Sequence, residues 1–429
     1  MEGQRALTRG PDAARRPRTG LTRRRLLLGG GAAGVAGAGA AAAALTGGDD
    51  ASPVALPPLS AGEPRQHAWD ATLRRDAHDN VLAPRFHRLL LCDLVADPTP
   101  ARARAAEAGL RRLERALPRS AAGVLVVVGW GPAWFRRIGV ASPVPRARAL
   151  SPTEAPAIDD PVAIVHLAAD DEARLDRVER ALLHGGTLRG ARGSVSLTDL
   201  LRVRARRTGF VGAGLPRARQ RDVVGLPGDR AIDRDAPLYM GFQSGLRRNQ
   251  ATEDDVTIAE GPWRGGTTMH VSTIELTLDT WYHGVDQAGR VRRMFAADAT
   301  PQDLERRPDG IANPVRDLRD VARRRGVVGH AESMASVRRD DRPIILRRDF
   351  DSRDGDAAQV HFVALQRSIE DFERTRRAMN AARAIDASAG VGAQVNNGIN
   401  EWLNVTARGN YLVPPRARRT CPGLPGWSA

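Results

Sequence analysis

Short apolar runs of strand length recur between residues 87 and 413, and stretches with helical spacing separate them in nearly the same order twice. Residues 87–95, 122–130 and 161–167 are the first three runs, rich in Leu and Val. Ala and Leu at helical spacing over 98–117 fall between the first and the second. A further helix opens at Asp170-Asp171-Glu172, where acidic residues suit the positive end of a helix dipole, and runs to about Leu183. Downstream, strands over 268–278, 343–347, 359–366 and 402–413 alternate with helical pieces near 279–283 and 314–324 and with a strong helix over 368–385. This order predicts an α+β fold of two tandem ferredoxin-like (βαββαβ) halves. The duplication lies in element order alone, without a sequence-level repeat. Residues 190–237, between the halves, read as loop-rich. The halves are expected over 66–215 and 216–429.

The first 65 residues read differently. Thr22-Arg23-Arg24-Arg25-Leu26-Leu27-Leu28 precedes a run to Leu45 that holds only Gly, Ala, one Val and one Leu. A basic segment before a mild apolar stretch has the pattern of a signal peptide, and the consecutive arginines resemble a twin-arginine signal. Residues 1–45 are the expected signal and 46–65 a linker. Export by the twin-arginine route would put the protein outside the cytoplasm, as an extracellular, periplasmic or cell-surface protein. The alternative is an uncleaved anchor; a membrane is expected as a partner only through the export signal or such an anchor.

Composition removes several function classes. All 65 basic residues are arginine, and 50 acidic residues interleave with them, for a net charge of +15. Arginine spread through every segment marks a compositional bias, so no specific nucleic-acid surface is expected. Two cysteines, Cys92 and Cys421, exclude a disulfide scaffold and a zinc cluster, although one bridge stays open. There is no HExxH, no GxSxG elbow and no P-loop. Of nine histidines, His166, His270 and His361 fall inside predicted strands, where packing is the ordinary role. His330 differs. It follows Val327-Val328-Gly329, in the connection between a helix and the strand with Arg347 and Arg348.

Several segments, in order, carry a family resemblance. Gly131-Pro132 follows the second strand. Gly241-Phe242-Gln243-Ser244-Gly245 resembles a GxxDG motif. Trp263 and Gly265-Gly266-Thr267 lead into a strand. Gly329-His330, Ile345-Leu346-Arg347-Arg348, the run 361–367 and Leu412-Val413-Pro414-Pro415 complete the series. Together they resemble the dye-decolorizing (DyP-type) haem peroxidases, whose fold is a tandem ferredoxin-like α+β barrel. The resemblance implies haem b, one iron per chain, with His330 as the proximal iron ligand. It implies hydrogen peroxide and an unidentified electron donor as partners, and leaves a homo-oligomer open.

Further roles follow from that resemblance alone. Glu401 stands where the family has the acid that hydrogen-bonds the proximal histidine. Arg347 takes the distal position, where its guanidinium stabilises charge as the O–O bond breaks. Asp349, two residues on, shares its strand face. Gly241 and Gly245 frame the motif around the cofactor. Ser244 departs from the family, which has an aspartate there that moves the peroxide proton. A hydroxyl is a poor acid and base near neutral pH, and loss of such a group costs ~10²–10⁴ in rate. The chain thus reads as a slow or atypical peroxidase. The competing readings are a haem-handling or haem-sensing protein without turnover, and a haem-free interaction module.

Overall fold

The computed structural model describes residues 56–427, apart from 224–225, 227–231, 243–245, 247 and 306–312. Ten strands form one sheet: β1 (Phe86–Leu94), β2 (Leu125–Trp130), β3 (Ala157–Ile158), β4 (Ala163–Ala169), β5 (Leu201–Phe210), β6 (Thr267–Leu276), β7 (Leu346–Arg347), β8 (Phe350–Ser352), β9 (Gln359–Gln366) and β10 (Leu403–Val413). The order β2-β4-β1-β5-β8-β9-β6-β10 closes on itself, because Leu412 of β10 pairs with Trp130 of β2. Eight strands therefore make a barrel. Each successive set of four has the order second-third-first-fourth, which is the ferredoxin-like arrangement. β3 adds to β10 in parallel, and β7 prolongs β8 along β9.

Two apolar layers follow from strand alternation. Leu89, Leu91, Val127, Ile164, Met269, Val271, Val363, Leu365 and Tyr411 point into the barrel. Leu90, Val128, Val165 and Leu167 point out, against the helices Pro100–Ala116 and Glu172–Leu183. Both helices start on a side-chain cap, Thr99 and Asp171, that accepts from a backbone N–H in the first turn.

The sequence reading missed β5, which lies inside the stretch taken as loop-rich. Its sequence LRVRARRTGF leaves Arg202, Arg204 and Arg206 exposed, and a register shift against β1 interrupts the strand, which together hide the apolar alternation. Arg207 even points inward and pairs with Asp159 at 2.6 Å. The expected helix over 368–385 is two pieces, Ile369–Met379 and Ala382–Ile385. The chain turns at Ala381 (φ 45°), and Asn380 is held by Arg376 and by the Leu150 carbonyl. Cys92 and Cys421 are both buried free thiols. The signal-like segment lies outside the described residues, and among these no helix is long and apolar enough to cross a membrane.

The seam between β5 and β8 is two residue pairs long, Gly209↔Ser352 and Phe210↔Asp351. A methyl group on Gly209 would run into the Asp351 carbonyl and the Phe350 ring. Gly209→Ala should therefore cost about 3 kcal/mol through overpacking. Thermal unfolding would report this as a clear drop in Tm; an unchanged Tm would mean that the seam has room.

Candidate functional site

Between β6 and β7 the second half replaces a single crossover helix with a long helical excursion, and this carries His330. His330 opens the short helix His330–Ser333. The turn before it is held by Glu332, whose buried carboxylate accepts from Gly329 N–H and Ala297 N–H, both at 3.1 Å. Its other oxygen meets Arg316 at 3.3 Å. Behind the histidine stands Gly398 at φ 55°, where a Cβ would lie 3.0 Å from the His330 Cα. This close approach requires glycine. Among the described residues the His330 ring nitrogens have no hydrogen-bond partner, since the only bond at this residue goes to its backbone carbonyl. Burial, with the positive charges of Arg347 and Arg376, holds its pKa down at about 3. The imidazole is thus neutral, the form that binds a metal.

The charge of Arg347 that acts on His330 belongs to the strand run 346–352. Its register against β9 is constant from Leu346↔Leu365 through Asp351↔Val360, so Arg347, Asp349 and Asp351 face one side and Arg348 and Phe350 the other. Arg348 points into the barrel, over the Trp69 ring at 4.0 Å, and binds the His67 carbonyl and Glu253. Arg347 keeps about a third of its side chain exposed, and its Nη1 lies 3.6 Å from Asp349 Oδ2. Asp349 is far more buried and accepts Val363 N–H at 3.3 Å. Burial raises its pKa to about 6, against the pull of Arg347. An arginine beside a carboxyl that titrates near neutrality can hold an anion and exchange a proton.

Ser244 and Gly245 lie outside the described residues, but the chain on both sides of them is tied to this strand run. Before them, Tyr239 N–H donates to Asp351 at 2.8 Å, and Tyr282 Oη donates to the Tyr239 carbonyl at 2.6 Å. Gly241 has φ 84°, and a Cβ there would strike Tyr282 Oη. After them, Gln250 accepts Arg347 N–H, and Ala251 N–H donates to the Ile345 carbonyl at 3.1 Å.

Glu401 does not join His330. It is exposed on the 3-10 turn Asn400–Trp402, and the charge it acts on is that of Arg293. Position along the chain put it at the right segment, but the turn directs its side chain outward. Three residues of the site escaped the sequence reading. Glu332 was legible as the third residue after a helix start, as in a capping box. Asp351 follows Asp349 by simple alternation. Arg376 gives no local signal, because a helix 46 positions downstream brings it near His330.

The closed α+β barrel is a fold that this chain shares with dye-decolorizing proteins. The chain is similar to the dye-decolorizing protein from V. cholerae, with 14% identity over 82% of this chain and 98% of that chain, at a TM-score of 0.51. It is similar also to a variant of DypB from Rhodococcus jostii RHA1 in complex with heme, with 15% identity over 78% of this chain and 94% of that one, TM-score 0.51. At such identities the likeness is one of fold. Residues 84–415 match the Family of unknown function (DUF7405), and the chain belongs to that family. No curated protein matches it.

Proposed function

We propose that this protein is an exported haem-dependent peroxidase, with His330 as the iron ligand and Arg347 with Asp349 on the peroxide side. The observation that carries this reading is the neutral His330 ring, without a hydrogen-bond partner among the described residues and under the charge of Arg347. The residues fit haem. The imidazole is in its ligating form, glycine packing fixes its backbone, and the strand whose Arg347 charges it supplies a cation and a protonatable group. Haem, when bound, supplies the redox iron that activates hydrogen peroxide.

The chain's own residues do the rest. Glu332 holds the turn that aims His330. Asp349, ionised above pH about 6, takes the proton from one peroxide oxygen and returns it to the other, which leaves as water. The Arg347 guanidinium stabilises the negative charge that develops as the O–O bond breaks. Asp349 thereby takes over the task for which Ser244 is unsuited. The reductant is an unidentified electron donor, and the signal-like N-terminus supports export. A second reading, haem handling without turnover, draws its support from Ser244.

Reconstitution with haemin followed by rapid mixing with peroxide tests the reading. Asp349→Asn should slow the first peroxide step by about 100-fold with haem binding intact. A wild-type protein that binds haem but shows no peroxide reaction would favour haem handling.

A further inference from the structure

Asp351 takes no part in the chemistry above, yet it belongs to the same strand run. It lies on the face of Arg347 and Asp349, two residues beyond Asp349, which is about 6.6 Å along a strand. It is fully buried. Oδ2 accepts Tyr239 N–H at 2.8 Å, and Oδ1 has no partner among the described residues. A buried carboxylate with one unsatisfied oxygen is costly, whereas a protonated carboxyl carries its own donor at that atom. Burial drives its pKa well above the usual range, and the charge of Asp349 pushes the same way. Arg347 pairs with Asp349 instead. The other charged groups around this point, Arg219, Asp222 and Arg353, surround the Tyr239 ring. Asp351 therefore holds a proton at neutral pH, next to a carboxyl that has released its own.

Peroxide reduction needs such a store. The whole reaction takes HOOH, two electrons and two protons to two waters. Moving a proton from one peroxide oxygen to the other releases the first water without any outside proton. The remaining oxygen leaves as water only when two electrons and two protons arrive. The electrons come from a one-electron donor used twice. The protons must reach a buried site.

Resting on the peroxidase reading, we propose that Asp351 and Asp349 form a two-carboxyl proton relay. Asp349 exchanges protons with the oxygen atoms. Asp351 holds a proton behind the ionised Asp349, passes it on as each of the two electrons arrives, and is refilled from solvent after each transfer, so two protons reach the remaining oxygen per turnover. Asp351 acts through Asp349 and touches no substrate.

Asp351→Asn tests this, since the amide oxygen still accepts Tyr239 N–H and the fold is kept. In the apoprotein at pH 7, the infrared difference between wild type and Asp351→Asn should show the carbonyl stretch of a dry, protonated carboxyl, set apart from the contribution of Glu253, and Asp351→Glu should restore it. In the haem-loaded protein, turnover of a one-electron dye should fall at least ~10-fold in Asp351→Asn, while the first peroxide step stays within about 2-fold. Asp349→Asn should do the reverse and slow the first step. A wild-type-minus-Asp351→Asn difference spectrum without that band, or dye turnover within about 2-fold of wild type at full haem occupancy, overturns the relay. A wild type that takes up no haem overturns the peroxidase reading and the relay with it, and the infrared band then still reports whether Asp351 holds its proton.

Discussion

Apoprotein carrying His330→Ala, titrated with haemin, is expected to show no sharp Soret band at ratios that saturate the wild type. The apparent affinity should fall at least ~100-fold, since even the outer partners of a metal ligand are worth 10–100-fold. The loss should be local. The His330 side chain makes no hydrogen bond among the described residues, and Glu332 holds the turn through the backbone of Gly329 and Ala297. Circular dichroism and Tm of the variant should stay close to wild type. Added imidazole should restore part of the Soret band by filling the space that the ring leaves. A variant that keeps full haem occupancy without imidazole would refute the ligand assignment.

The strands and helices with ordinary apolar patterning were legible in the sequence, and so was the tandem order they imply. β9 runs over 359–366 as read, and β10 over 403–413 against an expected 402–413. β5 was hidden because arginine occupies positions where alternation would show an apolar residue. At the site, His330, Arg347 and Asp349 were singled out because each sits in a segment of recognisable order. What sequence could not supply was side-chain direction and long-range company. Glu401 lies in the expected segment and faces solvent. His87 and His166, which share a 2.9 Å hydrogen bond inside the barrel, are 79 residues apart and meet only because β1 pairs with β4.

Buried histidines make the apoprotein sensitive to acid. His67, His87, His270 and His330 are held near 3, chiefly by burial, and His166 lies well below its ordinary value for the same reason. In the unfolded chain each takes up a proton below about pH 6.5. Between pH 6.5 and 3 the unfolded state therefore binds more protons than the native state, and stability falls as pH falls. Three buried acids act in the opposite sense. Asp349, near 6, Glu253, near 7, and Asp351, well above its ordinary value, hold protons in the native state that the unfolded state has released above pH ~4. At pH 5 the depressed histidines, His361 among them, outnumber the raised carboxyls, so the net effect of acid is a loss of stability. Urea unfolding of the apoprotein at pH 7 and pH 5 should show a much lower midpoint in acid, with the steepest loss below pH 6. Equal midpoints would mean that the buried histidines are protonated in the native barrel. Haem should blunt the effect, because an imidazole bound to iron no longer depends on burial alone to stay unprotonated.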